Sequence, residues 1–164
     1  MIEHEGHSQL IAWGPENIQS FDPDTGKAFW THSYKITYGV SIAQPHYSNG
    51  VLFVSGYWHG TKAFRLGKSP SEVSLLWEKE KEICGLMSAG LSKNGRVYLL
   101  DKNKGLVCFD IETGNIRWSD ENKLSPGGRN PQFSMVWLDE SRDLVALLNS
   151  CLLYTSDAAD EEDS

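Results

Sequence analysis

The 164 residues contain only three cysteines, Cys84, Cys108 and Cys151, and no two are adjacent or arranged as Cys-x-x-Cys. That excludes a zinc ribbon and a thioredoxin-type couple, and leaves buried or idle thiols as the expectation. No uninterrupted apolar run approaches the roughly 20 residues of a spanning helix, and no basic-then-apolar segment opens the chain, so no membrane insertion by this segment is expected. P-loop, Gly-x-Ser-x-Gly and Gly-x-Gly-x-x-Gly patterns are absent, as is any long helical periodicity. Basic residues are the minority: 15 against 22 acids, a formal charge of −7. Five of the acids (Asp157, Asp160, Glu161, Glu162, Asp163) crowd the last eight residues, and without them 17 acids face 15 bases. That is an ordinary surface with no basic stripe, and no nucleic-acid partner is expected.

What the chain does have is self-similarity. NIQSFDPDTGKAFW (Asn17 to Trp30) matches GLVCFDIETGNIRW (Gly105 to Trp118) as aromatic, Asp, two residues, Thr, Gly, three residues, Trp. The spacing, Phe21 to Phe109 and Trp30 to Trp118, is 88 residues, twice 44. A degenerate copy lies halfway, with Phe64 and, after a longer turn, Trp77. Matching hairpins precede the last two units: HYSNGVLFVSG around Asn49-Gly50 and LSKNGRVYLLD around Asn94-Gly95. WLDESRDLVALLNS (Trp137 to Ser150) begins the hairpin again, and SQLIAWG near the start resembles its second strand. Asn-Gly suits a two-residue hairpin because both central residues need positive φ. In Asp-x-x-Thr-Gly, Asp22 or Asp110 can accept backbone hydrogen bonds two and three residues on, Thr25 or Thr113 follows, and Gly26 or Gly114 takes the left-handed position. Trp30, Trp77 and Trp118, one per unit, are expected to pack between units. Four short antiparallel strands every ~40 to 45 residues predict an all-β fold, a partial β-propeller of about three to four blades.

FDPDTGKAFW and FDIETGNIRW resemble the PQQ-like repeat, found in quinoprotein dehydrogenases and in non-catalytic BamB-like propellers. The resemblance covers about residues 8 to 150 and is specific for fold rather than activity. It implies a bacterial protein of the periplasm or cell envelope. The domain reading is residues 1–150 as propeller, entered in mid-blade, and 151–164 as a non-native tail. CLLYTSDAADE breaks the repeat where a turn and a third strand are due, and it resembles a translated sequencing adapter. With its terminal strands unpartnered, this segment expressed alone is expected to be aggregation-prone.

Chemistry-bearing candidates are few. His4-Glu5-Gly6-His7 has its histidines three apart rather than at the i, i+4 spacing of a metalloprotease helix. Asp22-Pro23-Asp24-Thr25-Gly26 resembles the start of a calcium loop, but its copy at Asp110 loses the second Asp and no closing Glu follows. The Gly-rich stretch Ser125 to Asn130 precedes no helix and reads as a blade connection. His46, beside Pro45, reads as a solvated strand end. The quinoprotein resemblance implies a quinone held by a vicinal disulfide and stacking Trp, with a carboxylate-bound calcium and an Asp base. None of these maps onto this sequence, so no catalytic, metal or cofactor-binding residue is assigned. What remains is a loop face. In this strand order, second-to-third-strand connections and those leaving the Trp strand emerge at one end. That end is expected to gather Tyr57, Trp58 and His59, with His32, Tyr38 and Arg129, as a recognition surface for a protein or polymer partner. The expected function is a non-catalytic scaffold or binding module. The alternative is a fragment of a PQQ-dependent alcohol or sugar dehydrogenase using PQQ and calcium, and a propeller hydrolase or lyase comes third.

Overall fold

Asn49-Gly50 and Asn94-Gly95 reverse the chain with φ of 51° and 75°, and of 51° and 73°, the doubly positive pair of a tight hairpin. A third pair does the same, Glu5 at 50° and Gly6 at 77°. The computed structural model describes residues 1–39, 43–85, 88–124, 133–142 and 144–149. Three four-stranded antiparallel sheets follow in chain order. Blade one is β1 (Ile2–His4), β2 (His7–Trp13), β3 (Asn17–Phe21) and β4 (Ala28–Ser33). Blade two is β5 (His46–Ser48), β6 (Val51–Gly56), β7 (Gly60–Leu66) and β8 (Val73–Lys79). Blade three is β9 (Leu91–Lys93), β10 (Arg96–Asp101), β11 (Gly105–Asp110) and β12 (Ile116–Ser119). A two-stranded sheet of β13 (Phe133–Asp139) and β14 (Leu144–Asn149) follows, turning through a 3-10 segment, Glu140–Arg142.

Two expectations are corrected here. Blade one is not entered in mid-blade, because β1 pairs with β2, Ile2 opposite Gln9 and His4 opposite His7. His4-Glu5-Gly6-His7 is therefore a hairpin turn, and His4 bonds across to the next blade, Nδ1 to Tyr47 Oη at 2.9 Å and Nε2 to the Gly67 carbonyl at 3.0 Å. The last hairpin begins at Phe133, four residues before the stretch that signals it. The tail, residues 151–164, lies outside the described residues.

Blade two packs on both sides because its middle strand β6 is buried on both faces. Leu52 and Val54 of β6 join Ile18, Trp30 and Phe64 at the seam with blade one. Val51 and Phe53, their alternates, join Val97, Val107 and Phe109 at the seam with blade three. The period of two thus sends adjacent residues into different cores. A register shift recurs at the same repeat position in each blade, between Ser20 and Phe21, Ala63 and Phe64, and Cys108 and Phe109. The bulge sets Trp30, Trp77 and Trp118 opposite Ser20, Ala63 and Cys108.

Trp77 couples one blade to the next. Its Nε1 donates to the Ile111 carbonyl at 2.9 Å, and a Cβ on Gly114 would lie 2.9 Å from its ring. The Asp-x-x-Thr-Gly turn is thus the seat of the preceding blade's tryptophan. Asp110 Oδ1 accepts from the Glu112 and Thr113 amides at 3.0 and 3.2 Å, and Asp22 Oδ1 does the same for Asp24 and Thr25 at 2.9 and 3.0 Å. Arg117 beside Asp110 holds its carboxyl below the usual range; for Asp22 the Thr25 amide is the first cause. Trp30 is buried against Phe64 at the first seam, but its Nε1 meets no acceptor among the described residues, since blade two has Gly67-Lys68-Ser69-Pro70 in place of the short turn. Trp118 lies 44% exposed, with Tyr98 6.2 Å away.

His46 is not a solvated strand end. Half-buried at the second seam, it is tilted against Phe53 at 5.1 Å and bonded through Nε2 to Ser92 Oγ at 2.8 Å. Burial lowers its pKa from 6.5. A histidine whose folded pKa is depressed contributes stability that is complete above the unfolded value and lost as pH falls through the folded one, because the unfolded chain then binds the proton more readily. In urea titrations from pH 7.5 to 5, wild type is therefore expected to lose more stability than His46→Gln, which can keep a bond to Ser92. Equal losses would show that His46 does not titrate in this window.

Candidate functional site

The chain leaves β4 pinned to its own blade: the Tyr34 amide donates to the Glu16 carbonyl at 2.9 Å and that of Ile36 to Pro15 at 2.8 Å. Tyr34 is buried, its hydroxyl donates to the Gly60 carbonyl of blade two, and burial pushes the phenol well above its ordinary pKa. A Cβ at Gly56 would lie 2.8 Å from that hydroxyl, so the turn Tyr57-Trp58-His59 needs the glycine in front of it. Blade one's connection and blade two's turn are thus locked together.

On that base stands an aromatic ridge. After Ile36 the chain makes a 3-10 turn, Thr37–Gly39, in which Tyr38 takes φ 60° and ψ 13°. A left-handed aromatic residue is uncommon. Tyr38 is 84% exposed, and its ring meets that of Trp58, 42% exposed, at 5.6 Å and 69°. Trp58 meets Tyr57 at 4.6 Å and 65°, and Lys102 of blade three sets its ammonium 4.6 Å from the Tyr57 ring centre. His59 anchors the far side: its Nε2 accepts from the Thr37 amide at 3.1 Å and the Thr37 hydroxyl at 2.7 Å. A neutral ring with its proton on Nδ1 fits that pattern. Beside the ridge runs a groove of about 320 Å³ lined by Ser33, Tyr34, Lys35, Trp58, His59, Lys62, Glu78, Glu80 and Lys81. Lys62 and Glu78 pair at 2.8 Å, and Lys62 also lies 5.2 Å from the Tyr34 ring centre.

Of the residues expected on this face, the structure brings together Tyr38, Tyr57, Trp58 and His59. His32 is elsewhere, its ring edge on Phe64 at 4.7 Å in the seam between blades one and two. Arg129 and its neighbour Asn130 lie outside the described residues. Sequence reasoning missed Thr37, Lys102 and the charged groove. Lys102 had a signal, since Asp101-Lys102-Asn103-Lys104-Gly105 is the turn Gly56 to Gly60 one repeat later.

The Asp101 carboxylate near this end is used structurally. Buried Asp101 accepts the Cys84 amide on Oδ2 at 2.6 Å, and those of Asn103 and Lys104 on Oδ1 at 2.8 and 2.9 Å. A larger cavity of about 540 Å³ along β1 and β5 mixes aliphatic side chains with Glu3, Gln44, His46 and Tyr47, and its His46 is committed to Ser92.

Four-stranded blades that repeat the Phe-bulge-Trp pattern, with Trp77 of blade two docked on the Asp-x-x-Thr-Gly turn of blade three, define a β-propeller of the PQQ-like repeat class. The chain belongs to the family described as outer membrane protein assembly factor BamB, whose model matches residues 15–160. Among solved structures it is similar to BamB from Moraxella catarrhalis, at 18% identity and a TM-score of 0.51 over 71% of this chain and 34% of that one. It is similar to a europium-containing methanol dehydrogenase at 16% identity and 0.52, over 84% of this chain and 32% of that one. The computationally designed Ika4 protein gives 13% identity and 0.50, over 91% of this chain and 99% of that one. The chain thus spans about a third of the length of the two natural proteins, and at these identities the likeness shows the fold alone. No curated protein sequence matches it.

Proposed function

We propose that this chain is part of a non-catalytic propeller scaffold that binds another protein through the loop face of Tyr38, Tyr57 and Trp58, in the envelope of a bacterium. The observation that carries the reading is the ridge itself: aromatic rings held out toward solvent by a left-handed backbone and a histidine anchor. Exposed Tyr and Trp on rigid loops are the usual anchors of a protein interface. Membership in a family named for outer membrane protein assembly supports a protein partner and an envelope location. The quinone-dehydrogenase reading has the fold likeness to methanol dehydrogenase behind it and no fit in these residues. Asp22, Asp101 and Asp110 spend carboxylate oxygens on backbone amides, and Cys84 and Cys108 are buried thiols in separate places.

The test is a photo-crosslinking residue placed at Tyr38 of the full-length protein in its own cells, against one at exposed Lys27 on the Asp22 turn. A discrete protein adduct from Tyr38 and none from Lys27 is expected. Equal adducts, none at either position, or stoichiometric uptake of PQQ with calcium in equilibrium dialysis would overturn the reading.

A further inference from the structure

We propose that the partner docks on this ridge through an extended, proline-containing acidic segment; the inference rests on the protein-binding reading above. Three features of the ridge select that chemistry. Neighbouring rings stand at 69° and 65° to each other, which makes notches rather than a flat platform. A pyrrolidine ring fits a notch between aromatic edges and faces, whereas a sugar ring stacks best on an open face. The polar tips of the ridge, Tyr38 Oη, Tyr57 Oη and Trp58 Nε1, make no hydrogen bond to the described residues. Uncommitted within the protein, they can donate to a partner's carbonyls, and a polyproline II segment, with no internal hydrogen bonds, offers all of its own. The third feature is charge. Lys102 caps the Tyr57 end, and Lys35 and Lys81 stand at the groove beside Trp58. Lys35 has only a loose surface pairing with Glu16 at 3.8 Å, and Glu78 is matched by Lys62, so Glu80 is the acid of the groove left to oppose these cations. Acidic flanks on the segment complement that balance.

His59 is a positioning residue. By accepting both donors of Thr37 it fixes the backbone one residue before Tyr38, so the notch is formed before the partner arrives and less ordering entropy is lost on binding.

The probe is a fluorescein-labelled peptide of repeated Glu-Pro-Pro, about twelve residues long, compared with its Pro-to-Ala counterpart by fluorescence anisotropy on the full-length protein. The wild type is expected to bind the proline peptide at least about tenfold more tightly than the alanine one, with Tyr38→Ala and Trp58→Ala each weakening it by about tenfold or more. Tyr38 is so exposed that its truncation leaves the fold intact. His59→Phe is expected to weaken binding while His59→Gln, whose amide oxygen can accept from Thr37, restores it. A merely structural residue would not show that rescue. Equal affinity for the two peptides, affinity unchanged in Tyr38→Ala and Trp58→Ala, or binding of a neutral hexose oligosaccharide abolished by those variants would overturn the inference. If the Tyr38 crosslink persists while the peptide fails, the surface reading stands and the proposed segment chemistry falls.

Discussion

Phe109→Ala is expected to cost about 3–5 kcal/mol of folding stability, the range for removing a fully buried phenylalanine. The side chain has no solvent exposure, and its ring lies edge-on to Phe53 at 5.8 Å and 76° and to Trp77 at 6.0 Å and 89°. Both partners belong to blade two, so truncation opens a cavity in the seam rather than within one blade. The seam cannot readily collapse, because Trp77 is tethered to the Ile111 carbonyl and wedged against Gly114. Set against a typical total of about 5–15 kcal/mol, the loss should bring a large drop in the urea midpoint with little change in slope. Trp118→Ala is the control, since this repeat tryptophan is 44% exposed and truncation is expected to cost much less. Comparable costs would mean that these aromatics act within their own blades and not as couplers between them.

That contrast bears on what a sequence can reveal. The repeat letters name the turns well because Asp-x-x-Thr-Gly and Asn-Gly work through local chemistry, and local chemistry travels with the residues. Glu5-Gly6 was harder to see, since glutamate does not advertise positive φ. The signal was positional: Gly6, Gly50 and Gly95 stand 44 and 45 apart. His32 reads as a loop-face residue from the strand order, yet it lies two residues from Trp30 on β4 and therefore on the same side of the strand, which sets its ring edge against Phe64. The aromatic ridge was legible in part because strand order decides which connections share an end. The anchor from His59 to Thr37 was not, because the two residues are 22 apart and meet only once blade two has docked on blade one's connection. The bulge before each tryptophan was equally hidden, since it changes register without changing any letter of the motif.

Gly60→Ala tests whether the ridge and the blade share one foundation. Three glycines have nearly the same φ, Gly6 at 77°, Gly26 at 70° and Gly60 at 74°. At Gly6 and Gly26 an added Cβ meets nothing within 4 Å, so alanine there should cost only the left-handed strain of about 1–2 kcal/mol. At Gly60 the same atom would lie 2.1 Å from the Lys79 carbonyl oxygen and 2.5 Å from the carbonyl of Glu80. Those are backbone atoms at the end of β8, so β7 and β8 must part there, adding an overpacking cost of about 1–3 kcal/mol. The displacement also moves the Gly60 carbonyl away from the Tyr34 hydroxyl and shifts His59 relative to Thr37. Gly60→Ala is therefore expected to have the lowest urea midpoint of the three variants and also to weaken the Tyr38 crosslink, while Gly6→Ala and Gly26→Ala leave the crosslink unchanged. If Gly60→Ala were no less stable than the other two, β7 and β8 would not meet as closely as described. If it lost stability but kept the crosslink, the aromatic ridge would be held by the Tyr38 segment alone, independently of the turn beneath it.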